Sequence, residues 1–144
     1  MRVLRINASD THPIRQEILR KGFPEEALVY EGDEEEQTFH LGVFIENHLV
    51  SIASFYYHRH PDIEDEYQYR LRGMATRKEH RRQGLSTALL KTAFPIVKQN
   101  QCSLVWCNAR ETAVSFYEKL NFQKQGKRFQ IQGIGPHFLM VKKL

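Results

Sequence analysis

Met74-Ala75-Thr76-Arg77-Lys78-Glu79-His80-Arg81-Arg82-Gln83-Gly84-Leu85-Ser86-Thr87-Ala88-Leu89-Leu90 is the stretch on which the reading of this chain turns. It reads as the end of a strand, a basic loop and the start of an amphipathic helix. The turn into the helix is Arg81-Arg82-Gln83-Gly84-Leu85-Ser86. Gly84 and Ser86 are small, so a ligand can come close to the backbone there. The first N–H groups of a helix have no partner inside it and carry the positive end of its dipole. Such a turn suits phosphate, and Arg81 and Arg82 add positive charge. Two other phosphate-binding patterns do not fit. A Walker loop has Lys-Ser/Thr after its last glycine, where Leu85 stands here; the dinucleotide fingerprint has three spaced glycines, and only Gly84 is present.

Upstream, residues 67–76 form the strand that feeds the turn, and Gly73 inside it marks a bulge or a close backbone approach. Residues 38–45 and 49–57 flank Glu46-Asn47-His48 and read as an antiparallel hairpin. Residues 1–7 form another strand. A helix follows, capped by Asp10 or Thr11, with Pro13 in its first turn and Ile14, Ile18 and Leu19 at helical spacing. Gly22-Phe23-Pro24 ends it. Residues 24–37 carry Glu25, Glu26, Glu31, Asp33, Glu34, Glu35 and Glu36. The plain reading is a solvated loop, and the sharper one places part of it at a substrate cleft. Glu64-Asp65-Glu66 reads as a solvated turn. His58 and His60 flank Arg59 without a carboxylate at ligand spacing, so no metal site is expected.

Downstream, residues 85–99 form a helix with Leu85, Ala88, Leu89, Thr92 and Ile96 on its apolar face. Pro95 predicts a kink or a break. Residues 102–107 form a short apolar strand, and strand–helix–strand order implies a parallel pair with a right-handed crossover. Cys102 and Cys107 on that strand point to opposite faces, which disfavours a disulfide and fits a reduced compartment. A further helix has Ala113, Phe116, Tyr117 and Leu120 on one face. Residues 128–131 and 138–141 form two last strands joined by residues 132–137.

Arg81-x-x-Gly84-x-Ser86, after a strand and before Thr87-Ala88-Leu89-Leu90, resembles the acyl-CoA motif of the GNAT (Gcn5-related) N-acetyltransferases. The family pattern is Gln/Arg-x-x-Gly-x-Gly/Ala, so Ser86 departs mildly. One crossover later, Asn108-Ala109-Arg110-Glu111-Thr112-Ala113-Val114-Ser115-Phe116-Tyr117-Glu118-Lys119-Leu120-Asn121-Phe122 resembles the family's Asn-x-x-Ala-x-x-Phe-Tyr-x-x-Leu-Gly-Phe block. Arg110 stands where the family usually has Asn. Asn121 replaces Gly, and asparagine tolerates the left-handed backbone a helix end needs. The resemblance covers nearly the whole chain. It implies an α/β fold in a single domain, residues 1–144, built on a mixed, mostly antiparallel sheet with a central parallel pair, flanked by helices.

The resemblance also implies acetyl-CoA as co-substrate, and no metal. Met74, Ala75 and Thr76 would bind the pantetheine arm through their backbone, in a gap between splayed strands. Arg81, Arg82, Gln83, Gly84, Leu85, Ser86 and Thr87 would surround the pyrophosphate, and Arg110 would reach the pyrophosphate or the substrate. Tyr117 would lie beside the thioester sulfur as general acid, since a neutral phenol can protonate a departing thiolate. Its plainer reading is an aromatic anchor between helix and sheet. His137 would face the acceptor cleft; its plainer reading is a half-exposed residue at a strand start. Arg70 and Arg72, two apart on one strand, share a face. If that face lines the cleft, the acceptor carries a carboxylate or phosphate; otherwise they point outward from a strand edge.

The activity implied is direct transfer of an acetyl group to a primary amine of a small molecule or a protein, with Glu64, Glu66, His58, His137 or a water chain taking the amine's proton. A non-catalytic acyl-CoA-binding sensor is the alternative. A nucleic-acid-binding module ranks last, because Lys142-Lys143 and Arg81-Arg82 are far apart in sequence. The chain has 144 residues and a formal net charge of +4, which suits one domain and phosphate-bearing ligands. No long apolar run predicts a membrane span, and residues 1–6 lack an apolar signal core, so a cytoplasmic protein is expected. A homodimer is compatible with this composition.

Overall fold

The computed structural model describes all 144 residues. One seven-stranded sheet takes up β1 (Arg2–Ile6), β2 (Phe39–Ile45), β3 (His48–Tyr56), β4 (Gln68–Thr76), β5 (Leu104–Arg110), β6 (Gln123–Ile131) and β7 (Gly135–Lys143), in the order β1-β2-β3-β4-β5-β7-β6. Every neighbouring pair is antiparallel except β4 and β5. The β2–β3 turn is tighter than the sequence suggested. Ile45 pairs with His48, and Glu46 and Asn47 take φ 50° and 68°. Two left-handed residues match the twist of the flanking strands, which is the usual solution for a two-residue hairpin.

The helical segment before β2 starts at Asn7 rather than Asp10 or Thr11. Asp10 Oδ2 accepts a bond from the Asn7 backbone N–H at 2.8 Å. The segment then passes through a 3₁₀ turn (Ala8–Thr11), α1 (His12–Ile14) and a π turn (Arg15–Leu19). It covers one sheet face through Ile14, Ile52 and Ala75. The opposite face carries α2 (Leu85–Gln99). Its buried residues are Leu85, Leu89, Leu90, Ala93 and Val97, while Ala88, Thr92 and Ile96 are only half-buried. Two apolar stripes overlap on this helix, and docking on Phe39, Leu41, Val43 and Phe55 selects the one through Leu90 and Val97. α2 runs through Pro95 without a break. Pro95 and Lys91 both lie on the solvent side, where water can take the carbonyl that the proline leaves free.

The strand after α2 starts later than expected. Gln101 takes φ 66°, and the Cys102 N–H bonds the Val97 carbonyl at 3.1 Å, so Cys102 closes the helix end instead of opening β5. Cys102 and Cys107 consequently join the same core cluster rather than opposite faces, and both thiols are free. α3 (Val114–Lys119) ends at Asn121, which adopts φ 67° as its side chain allows.

In the acidic loop all six glutamates are exposed, but Asp33 is not. It forms a bidentate pair with the fully buried Arg15, at 2.7 and 3.1 Å. Arg15 also donates to Leu28 O, Ser54 Oγ and Tyr56 Oη, and the Tyr56 hydroxyl donates to Asp33 Oδ1 at 2.6 Å. The network pins the loop against β3. Burial alone would raise the Asp33 pKa; bonds from Arg15, Tyr56 and the Tyr30 backbone outweigh it, and the carboxyl titrates below its ordinary range. Its stabilisation is therefore complete above the unfolded carboxyl's pKa of about 4 and is lost as the pH falls through the lower folded value. Asp33→Asn, which strands a buried guanidinium, should lose about 3–5 kcal/mol at pH 7. Urea unfolding at pH 7 and pH 3 should show the gap between native and variant narrowing in acid.

Candidate active site

β4 and β5 pair only at Gln68–Leu104, Tyr69–Val105 and Arg70–Trp106. Beyond Arg70 the strands separate, and a cleft of about 980 Å³ opens between them. A bulge in β4 helps turn it away. Ile52 faces Ala75 and Ser54 faces Arg72, so Gly73 and Met74 together oppose Ala53. Gly73 has φ 67°, and a Cβ there would lie 3.1 Å from the Tyr30 ring. Both facts call for glycine.

Met74, Ala75 and Thr76 line the cleft with no strand partner on the β5 side, so backbone groups on that edge lie open to a ligand. Met74 also packs against the main core. The basic turn closes one end. Its Arg82 and Gly84 adopt φ 62° and 76°, and the first helical bond of α2 runs from Ala88 N to Gly84 O. The amides of Leu85, Ser86 and Thr87 are thus left without helical partners, beside the cleft. No atom lies within 4 Å of a Cβ built on Gly84, so its backbone is open to approach. Arg81 and Arg82 line the cleft and are exposed; Gln83 lies on the turn but not in the lining.

At the other end, Tyr117 is buried against Phe116 and Phe122, with ring centroids 5.1 and 5.2 Å away. It sits beside the Cys107 thiol, and burial first, then this neighbour, pushes the phenol pKa well above its ordinary value. Burial likewise pushes the Cys107 thiol up to about 12, which makes it a poor nucleophile at neutral pH. Tyr117 therefore anchors α3 and lines the cleft at once.

His137 is 4% exposed, which corrects its half-exposed reading. Its Nδ1 lies 2.8 Å from Gly135 O. A carbonyl only accepts, so Nδ1 donates and Nε2 holds the lone pair of the neutral ring. Among the four candidate bases only His137 lines the cleft. His58 instead approaches Glu35 at 3.5 Å, and Glu64 and Glu66 are exposed elsewhere. Arg110 is exposed at the end of β5, opposite His137 in register, and lines the cleft. Arg70 and Arg72 also line it, so they do not point outward. Sequence reasoning missed Arg20, Tyr30, Asn108, Ile131 and Ile134 in the wall. Asn108 was legible as part of the second motif block; the others are brought in by packing between distant segments. No group of three or more His, Cys, Asp or Glu residues is placed to hold a metal.

The Gly73 geometry is testable. Gly73→Ala should lower Tm by about 2–8 °C, from the left-handed backbone and the Tyr30 contact. Gly84→Ala meets no neighbour and should lower it less; thermal melts of both variants check this.

The family model described as the acetyltransferase (GNAT) family matches residues 8–122. The chain is 40% identical over 144 residues to an uncharacterized N-acetyltransferase of Bacillus subtilis (strain 168), YitI, covering 100% of this chain and 97% of that protein. An aminoglycoside 6'-N-acetyltransferase complexed with coenzyme A superposes with TM-score 0.78 at 12% identity, over 99% of this chain and 97% of that one. The ribosomal-protein-S18-alanine N-acetyltransferase of Escherichia coli gives 0.76 at 16%, over 99% and 92%. At such identities the two structures share the fold alone. The family match over most of the chain and the near full-length relative establish that this protein belongs to the acetyltransferase (GNAT) family and is an N-acyltransferase of that type.

Proposed function

We propose that this chain is a single-domain, cytoplasmic enzyme that moves an acetyl group from acetyl-CoA directly to a primary amine, with Tyr117 as general acid. The observation that carries this is the parting of β4 from β5 beyond Arg70, with free helix amides at one end of the gap and a buried phenol at the other. Acetyl-CoA, when bound, supplies an acyl group activated by its thiol leaving group. The residues fit it: the amides from Arg82 to Thr87 suit a pyrophosphate, and the open edge of Met74–Thr76 suits the amides of a pantetheine arm. The relatives' names support transfer to nitrogen, and the coenzyme A in a neighbour supports the donor.

The backbone near Met74 polarises the carbonyl, and the cleft holds both reactants together. As the amine nitrogen bonds to the carbonyl carbon, the carbon–sulfur bond breaks. Tyr117 gives its proton to the sulfur, and the lone pair of His137 Nε2, directly or through water, accepts the proton the amine releases. Cys107 is too weakly acidic to serve as an acyl carrier.

Acetyl-CoA should bind the native chain in a calorimetric titration. Gly84→Glu, which places a carboxylate in the phosphate turn, should weaken binding by roughly 100-fold or more. Absence of binding to the native chain would overturn the proposal. Tyr117→Phe should lower kcat by about 10²–10⁴ in a thiol-release assay. An unchanged rate would leave Tyr117 as an anchor only, and an acyl-CoA sensor would release no thiol at all. Because the acid must be protonated and its pKa is raised, native kcat should show no falling alkaline limb below about pH 10.

A further inference from the structure

The cleft wall contains arginines at positions 20, 70, 72, 81, 82 and 110, and not one aspartate or glutamate. Arg81 and Arg82 belong to the phosphate turn. Arg70 pairs in register with Trp106, which directly precedes Cys107, the neighbour of Tyr117, in β5. Arg72 stands four residues before Thr76, roughly 13 Å of extended strand from the start of the turn. Phosphate held at the turn therefore does not neutralise this pair.

Two other arginines that leave the solvent are paired with carboxylates. Arg15 has Asp33, and the half-buried Arg77 has Glu17. Arg70 and Arg72 have neither a carboxylate within 4 Å nor any side-chain hydrogen bond, and the Arg70 Nε is buried without a partner. Burial and then the charge of Arg72 lower the Arg70 pKa. Two neighbouring guanidinium groups kept this way are costly unless an anion joins them.

Their orientation is nevertheless set. Arg70 lies over the Trp106 ring at 5.0 Å and Arg72 over the Tyr30 ring at 4.3 Å. The Tyr30 ring also has the buried Arg15 guanidinium against it, at 3.8 Å. A guanidinium stacked on an aromatic ring keeps its in-plane N–H donors free, in the fork geometry that fits a carboxylate or phosphate.

We propose that Arg70 and Arg72 form the oxyanion-binding wall of the acceptor site, so that the amine acetylated is one that also carries a carboxylate or phosphate group. The inference rests on the acetyl-transfer reading of the cleft and narrows its acceptor. It excludes polycationic amines, which would meet only like charge.

The test uses the native chain saturated with acetyl-CoA and a panel of amines: glutamate, aspartate and O-phosphoethanolamine against n-butylamine, spermidine and kanamycin. The anionic amines should have kcat/KM at least tenfold above the rest, and glutamate against O-phosphoethanolamine separates carboxylate from phosphate. Arg70→Met and Arg72→Gln should each raise KM for the best anionic amine by about 10–100-fold, with kcat moving less. Acetyl-CoA affinity by calorimetry should stay within about twofold if the donor turn is separate. Calorimetric binding of the same amine to enzyme loaded with CoA should be lost in Arg72→Gln, independently of turnover. Equal use of all amines, preference for spermidine or kanamycin, or unchanged KM in both variants overturns the inference. Acetyl-CoA binding with no anionic amine bound or acetylated also overturns it and leaves the donor site standing. Failure of the native chain to bind acetyl-CoA removes both.

Discussion

The parallel pairing of β4 with β5 stops after three residue pairs, and the site exists because it stops there. Two strands in register would have satisfied each other's backbone groups and closed the sheet. The extra residue at the Gly73–Met74 bulge increases the local twist and steers β4 off. The gap then inherits open backbone edges, a helix start at its end and a helix beneath it. A cleft made by parting strands keeps rigid walls, because each strand is still held by its outer neighbour, β3 or β7.

The second organising feature lies behind that wall. Arg15, Asp33, Ser54 and Tyr56 form a buried polar cluster that His40 joins through Ser54 Oγ, at 2.7 Å. Such a cluster is stable only when its members satisfy one another. Burial holds the His40 pKa below its ordinary value, so the ring stays neutral next to Arg15. Its consequence for the site is indirect. By fixing the loop that carries Asp33, the cluster places Tyr30 against Gly73 and beneath Arg72. The acidic run thus contributes an aromatic platform to a basic cleft, while its glutamates remain in water.

Charge is distributed along the cleft to match. The turn before α2 combines arginines with helix amides, a combination suited to phosphate. The opposite end has guanidinium groups stacked on aromatic rings and no acid to quench them. At that same end Tyr117 and Cys107 are buried, and both hold their protons more tightly than in water. Burial there outweighs the pull of the Arg70 charge on the thiol, so the protonated forms of both groups are favoured.

The sequence by itself determined the order of the strands along the chain, the two motif blocks, the basic turn, the family and the span of α2. These signals are local: alternation, helical spacing and a glycine before a helix are written within a dozen residues. It also placed Tyr117 on a helix and Arg70 and Arg72 on a strand, but it left His137 in the connection before the last strand, whereas the structure has it inside β7. Only the tertiary structure decided which stripe of α2 is buried, that Cys102 ends a helix rather than starting a strand, and that Pro95 is tolerated on the solvent side. It alone revealed Asp33 as a core residue, since a carboxylate among glutamates looks solvated until a buried arginine distant in the chain is brought to it. It alone joined Arg20 and Tyr30 to the cleft. The physical reason is the same throughout. Periodicity records how a segment faces its own neighbours, whereas burial, pairing of charges and the lining of a gap depend on segments that meet only when the sheet is assembled.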